Sequence, residues 1–233
     1  MDFNANTGKN LVIKVGEENW LRIPIKTHVV MKDDDLFADV IDKYTKEIRE
    51  PDDIIFCAEK IVAITQGRAY PLDSIKPSWL AKFLVKFVHK SPYGIGLGSP
   101  HTMQLALEDV GVFRILLGCV AAAFTKPFGI RGVFYKVCGY KAAAIDGPCD
   151  YTLPPYNRYA KKAPENPTKV SKELAQQLGN EFVMIDANDL DVNILGKSSE
   201  DLSDNFLKAV FKDNPLGQTN EQTPVGILRK LKS

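Results

Sequence analysis

Hydrophobic and polar positions fall into short blocks along this chain, and the spacing switches between strand and helix periods. LRIPIKTHVV (21–30) has the apolar density of a strand. Pro24 lacks an N–H, which places that strand at a sheet edge or a bend. Residues 33–35 start a helix with Leu36, Val40, Ile41, Tyr44 and Ile48 on one face, and Pro51 follows its end. DDIIFCAEKIVAIT (52–65) reads as β-rich, with polar Glu59 and Lys60 in mid-run. A helix beginning near Pro77 carries Leu80, Phe83, Leu84 and Phe87 at the spacing of a helical stripe. SPYGIGLGSP (91–100) is a Gly-rich loop leading into a further helical stretch. GIRGVFYKVCGYKAAAID (129–146) has short apolar runs between glycines, the texture of strands or of closely approaching backbones. Thr168 is placed to cap a helix with Val170, Leu174 and Leu178 on one side, stopped at Gly179. EFVMID (181–186) is a strand. Ser198 and Asp201 have capping-box spacing ahead of Leu202, Phe206, Val210 and Phe211. The tail is polar and rich in Gly and Pro, yet it ends in Val225, Ile227, Leu228 and Leu231, which predicts that it packs.

Composition narrows the function classes without choosing among them. The 233 residues suffice for one large domain or two intertwined lobes, with no visible repeat or linker. A net charge of +1 argues against nucleic-acid binding by bulk electrostatics. The opening MDFNANTGKN lacks the apolar core of a signal peptide, and the greasy run 115–124 is too short to span a bilayer. Cys57, Cys119, Cys138 and Cys149 show no CxxC spacing, and Cys57 and Cys119 sit in apolar runs as buried free thiols would. The expectation is a cytoplasmic, reduced protein with no nucleic-acid and no membrane partner.

Two acidic runs carry the candidate chemistry. DGPCDYTLPPYN (146–157) and VMIDANDLDVNILGKSS (183–199) each follow an apolar strand and cluster carboxylates and amides at its end. Such a cluster also makes turns, but oxygen donors at a strand end suit a hard divalent cation, which bridges phosphate oxygens during phosphoryl transfer. Asp146, Asp150, Asp186 and Asp189 are the candidate metal ligands, with Asn157 and Asn188 as further oxygen donors. GIGLG (94–98) has the wrong spacing for a dinucleotide fingerprint. GKSS (196–199) has the ending of a P-loop, but Asp191 stands where the first glycine is needed. Asp189, Asp191, Asn193 and Glu200 imitate an EF-hand loop in part, with Ile194 where its glycine belongs. Of His28, His89 and His101, His28 in the KTH segment is the one to consider near a site.

IPIKTH, DDIIFCAEKIVAITQGRAY and the two acidic strand ends resemble the coenzyme F(420)-0:L-glutamate ligase family of gamma-glutamyl ligases. The resemblance covers most of residues 20–200. It implies an α+β fold with mixed, largely antiparallel sheets and flanking helices, an intertwined homodimer, GTP or ATP as co-substrate, and Mg²⁺ or Mn²⁺. By the resemblance, Asp146 and Asp186 are the metal-holding catalytic aspartates, and Pro24, Ile25, Lys26 and Thr27 form the first nucleotide-contacting turn. Lys60 and Arg68 would offset phosphate charge. The chain departs from the family pattern at Ala63 and Ile64, where a Ser-Lys pair is expected, and at Ala187, where a hydroxyl is expected. The tail (213–222) would fold over the nucleotide, presenting Asn214, Gln218, Glu221 and Gln222. A truncation removing residues 213–233 would then lose the nucleotide but keep the fold of the rest.

The resulting expectation is a nucleoside-triphosphate-dependent amide ligase. It would phosphorylate a carboxylate of a deazaflavin or folate/pterin-like acceptor and join L-glutamate to the acyl phosphate. The rival reading is a non-catalytic nucleotide- or cofactor-binding protein of the same fold.

Overall fold

A computed structural model describes residues 3–88, 95–188 and 191–232; the metal candidate Asp189, with His89 and Gly94, lies outside them. Eight strands form among the described residues: β1 (Val12–Val15), β2 (Glu18–Ile25), β3 (Ile54–Ala58), β4 (Ala69–Pro71), β5 (Tyr159–Lys161), β6 (Glu181–Ala187), β7 (Val192–Lys197) and β8 (Val225–Lys230). With the helices they make a mixed α+β architecture divided into two compact units. One is the continuous segment Gly67–Pro164; the other is the chain on either side of it.

The flanking chain builds a six-stranded sheet in the order β1-β2-β8-β3-β6-β7. Only the β3/β6 pair is parallel, so the sheet is largely antiparallel, as expected. Pro24 does not put β2 at an edge: β2 pairs with β1 on one side and β8 on the other. Arg22 N–H bonds the Leu11 carbonyl, on the β1 side. Pro24, two residues on, points its missing N–H the same way, past the last β1 rung at Val12↔Leu21, so no ladder bond is lost. β8 is a central strand with Val225, Ile227 and Leu228 fully buried. The expectation that a truncation removing the tail would leave the rest folded is therefore overturned.

In this unit three helix assignments differ from the sequence reading, each for a local reason. The β-rich run stops at Ala58, and Glu59–Thr65 is a helix with Ile61, Val62, Ala63 and Ile64 all buried. An apolar run of four, Ile61–Ile64, has no periodicity to separate a buried helix from a buried strand. Ser198 does not cap a helix, because its hydroxyl accepts the Phe182 N–H at 2.8 Å and donates to Glu181. The helix starts instead at Asp204 and runs to Phe211, after Ser203. The Pro167–Leu178 helix starts with Asn166, not Thr168, at its cap position, and Pro167 at its first.

The sheet core joins Phe56, Val183, Leu207, Val210 and Phe211, with the Phe56 and Phe211 rings 4.6 Å apart. Arg22 is buried beneath it, its guanidinium held by both carboxylate oxygens of Asp213 and by the Val210 and Asn10 carbonyls. The helical segment from Leu36 is π-type to Asp42 and continues through Lys43–Thr45, with the Asp35 side chain accepting the Ala38 N–H at 2.7 Å. The exit and return of the chain are tied together by Gln66. Its side chain bonds both the carbonyl and the N–H of Glu165.

The Gly67–Pro164 unit is mainly helical, with β4 and β5 as a two-stranded sheet. Its helices are Trp79–Leu84, Pro100–Asp109, Val112–Thr125, Val133–Cys138 and Tyr140–Ala143. Ser99 and Thr102 form a capping box at the second of these. The Gly-punctuated stretch 129–146 is thus helical rather than extended, with Gly132 and Gly139 at positive φ separating its turns. Among the described residues no helix is long and apolar enough to cross a membrane.

Candidate active site

The register of the sheet collects the predicted residues of the first unit at one edge. Ile25 pairs with Val225, Val225 with Cys57, and Cys57 with Met184, forming one row across β2, β8, β3 and β6. β2 ends at this row, β3 and β6 end just beyond it, and β8 begins there. Lys26 and Thr27, Glu59 and Lys60, Asp186, and Gln222 and Thr223 therefore share the carboxyl edge of the parallel pair. In sheets with parallel strands this is where ligands bind, because loops and helix starts converge there.

Thr27 and Gln222 are in direct contact. The Thr27 N–H bonds the Gln222 carbonyl at 3.1 Å, and Gln222 Nε2 donates to the Thr27 carbonyl at 2.6 Å. Gln222 holds φ +61, a left-handed turn that swings its amide back over β2. Gln218 instead accepts from Asn214 Nδ2 at 3.2 Å, and Asn214 is buried within the turn it closes with the Gly217 carbonyl. Of the tail side chains, Gln222 is the one bonded to the 24–27 segment. Pro24 and Ile25 lie in β2 opposite Gly226 and Val225, and Lys26 is exposed.

Glu59 opens the helix after β3 and is buried at 5 % exposure. Burial drives the Cys57 thiol far above its ordinary range, and the Glu59 charge adds to this, so Cys57 stays protonated. Asp186 is partly buried opposite Asn193, with Ala187 next to it in β6. Lys197, the lysine of GKSS, is in β7 and bonds Asp204 and the Leu202 carbonyl rather than starting a helix.

Asp146, Asp150 and Arg68 belong to the other unit. Asp146 forms an isolated antiparallel bridge with Lys161, and its Oδ1 accepts the Gly147 N–H at 2.8 Å. Lys161 is buried, and its Nζ donates to the Ala144 carbonyl at 2.8 Å. Asp150 is exposed. Arg68 reaches the Asp109 carboxylate and the Ala163 carbonyl, so its charge is matched within the unit. Among the described residues no three His, Cys, Asp or Glu side chains cluster to hold a metal. The donors at Asp146 and Asp186 are nonetheless hard oxygens, suited to Mg²⁺ or Mn²⁺. With so few protein ligands at each, an ion at either carboxylate would keep water or phosphate oxygens in its shell, as Mg²⁺ commonly does.

The sequence reading passed over Asp34 and Tyr44, which the fold brings to His28 just beyond Thr27. Burial favours the neutral form of Asp34. The Met31 N–H and the His28 imidazole outweigh this and hold the carboxyl below its ordinary range. The signal was the KDDDL run after KTH, which reads as a helix start.

The family model described as F420-0:gamma-glutamyl ligase matches residues 24–186, more than half of the chain. This chain belongs to that family. No curated protein matches it. The gamma-glutamyl ligase match opens at Pro24 in β2 and closes at Asp186 in β6, leaving the Asp204–Phe211 helix and β8 outside it. Both residues standing in place of the Ser-Lys pair, Ala63 and Ile64, are buried in the Glu59–Thr65 helix.

Proposed function

We propose that the chain is a nucleoside-triphosphate-dependent gamma-glutamyl ligase. The observation that carries this is the gathering of Lys26, Thr27, Lys60, Gln222 and Asp186 at one sheet edge in a chain of this family. GTP or ATP would lie along residues 24–27 under Gln222, with Lys26 and Lys60 offsetting phosphate charge. The acceptor carboxylate, that of coenzyme F(420)-0 or of a folate/pterin-like molecule, attacks the γ-phosphorus. The bond to the β–γ bridging oxygen breaks, and an acyl phosphate and a nucleoside diphosphate result. The glutamate amine then attacks the acyl carbon, phosphate leaves, and an amide remains. Activation is needed because a carboxylate by itself offers no adequate leaving group. A divalent cation held through Asp186 would supply charge neutralisation at the phosphoryl oxygens.

Phosphate and nucleoside-diphosphate release with coenzyme F(420)-0, glutamate and GTP tests this. Asp186→Asn should lower turnover at least about 10²-fold with the fold intact, because a metal-binding carboxylate at a strand end holds little of the core. Normal turnover in Asp186→Asn would remove the metal role.

The buried Ala63 and Ile64 favour the second reading, a binding protein that keeps the fold without turnover. Nucleotide binding without product release from any carboxylate acceptor would select it. A homodimer of cytoplasmic chains completes the proposal. The Val112–Thr125 helix buries only Ile115 and Gly118 and leaves Phe113, Leu117, Val120 and Phe124 exposed. With exposed Phe128 and Ile130 beyond it, this apolar surface supports a second copy as its cover.

A further inference from the structure

His28 follows Thr27 directly and is held by hydrogen bonds at both ring nitrogens. Nε2 lies 2.8 Å from Asp34 Oδ2, which also accepts the Met31 N–H at 2.7 Å. Nδ1 lies 3.0 Å from the Tyr44 hydroxyl, whose oxygen accepts the backbone N–H of His28 at 3.0 Å. The imidazole and phenol rings stack with centroids 5.7 Å apart.

These partners set the tautomer of the neutral ring. An ionised carboxylate only accepts, so in that ring the hydrogen sits on Nε2 and Nδ1 presents its lone pair to the Tyr44 O–H. The charged groups of the cluster are Asp34, on the loop after β2, and Lys43, on the helical segment that carries Tyr44, whose Nζ lies 5.5 Å from the centre of the Tyr44 ring and whose charge is felt by Asp34. The ring is one-third exposed, so the cluster opens to solvent beside the edge that carries Thr27 and Gln222. A hydroxyl, an imidazole and a carboxylate in series make up a path along which a proton can move.

We propose that Tyr44, His28 and Asp34 form a proton relay serving attack by the amine of glutamate, an inference that rests on the ligase reading above. As the neutral amine attacks, the new C–N bond forms and the acyl C–O bond to phosphate breaks, phosphate taking the electron pair. The proton lost from nitrogen passes to the Tyr44 oxygen, and the Tyr44 proton passes to His28 Nδ1. The imidazolium so formed is matched by the Asp34 carboxylate. Tyr44 is the catalytic residue of this step, while His28 and Asp34 act through it.

Two nucleophiles separate relay from scaffold. Hydroxylamine is largely neutral near pH 7 and traps an acyl phosphate with little help from a base, whereas glutamate needs its proton removed. Wild type, Tyr44→Phe and Asp34→Asn, as full chains, are assayed with GTP and coenzyme F(420)-0 against each nucleophile. Asp34→Asn keeps an oxygen for the Met31 N–H, so it preserves the loop if Tyr44→Phe fails to fold. Both variants should lose about 10²-fold in glutamate addition while hydroxamate formation stays within about twofold. A parallel fall with both nucleophiles makes the cluster a structural clamp and overturns the relay, as does no fall with either. If wild type yields neither amide nor hydroxamate, the ligase reading itself fails and the relay falls with it.

Discussion

Arg22 shows how much one buried charge constrains this chain. Its side chain is fully buried, and Asp213, some 190 positions away in sequence, supplies both carboxylate oxygens. Removing one partner of such a pair leaves an uncompensated charge, so Asp213→Asn should destabilise the protein by about 3 kcal/mol, measured by denaturant unfolding at pH 7. Burial pushes the Asp213 carboxyl up, but the hydrogen bond and charge of Arg22 outweigh it and hold the group below its ordinary value. A depressed carboxyl contributes stability above the unfolded-state pKa and loses it as pH falls through the folded value. The advantage of wild type over Asp213→Asn should accordingly shrink below about pH 4. An advantage that is constant from pH 6 down to 3 would contradict the pairing. Neither residue stood out in sequence, where Arg22 reads as an ordinary polar position in an alternating strand.

At the scale of elements, β8 decides the sheet. It lies between β2 and β3 and fits there because Gly226 has no side chain: a Cβ would meet the Phe56 ring at 2.4 Å. Phe56 is itself fully buried against Phe211, so it has little room to swing aside. Gly226→Ala should cost about 1–3 kcal/mol by overpacking, read as a lower melting temperature, and Phe56→Leu in the same chain should recover part of the loss. An unchanged melting temperature would mean that the ring is not so placed. The apolar end of the tail was legible in sequence as a packing segment. Its place in the middle of the sheet was not, because pairing between residues 168 to 210 positions apart leaves no mark on local periodicity.

For the whole molecule, the exposed face of the Val112–Thr125 helix carries the testable expectation. A stable homodimer interface of this apolar kind buries about 2,000 Å² or more, so light scattering at micromolar concentration should give twice the chain mass of 25.9 kDa. Replacing Phe113, Phe124 and Phe128 by Ser should shift that mass toward one chain, since these side chains are already solvent-exposed in the single chain. A wild-type mass of one chain would sink the dimer. The two-unit division follows from a segment of nearly one hundred residues leaving and returning at a neck tied by Gln66 and Glu165. Nothing in composition marks that neck.

Sequence alone determined the strands with strong apolar runs, the helices with a clear amphipathic stripe and the residues that resemble a glutamate ligase, because each signal is local. The family match from Pro24 to Asp186 bears out the resemblance. Tertiary structure decided the rest. Glu59–Thr65 is a helix because its surroundings bury Ile61 to Ile64 all round, and Ser198 serves the β6/β7 hairpin because Phe182 offers it an N–H. Gln222 meets Thr27 only once β8 has docked beside β2, and Asp34 and Tyr44 meet His28 only once the chain has turned back after β2. Contacts of that kind depend on the path of the backbone in space, which propensity and spacing along the chain do not encode.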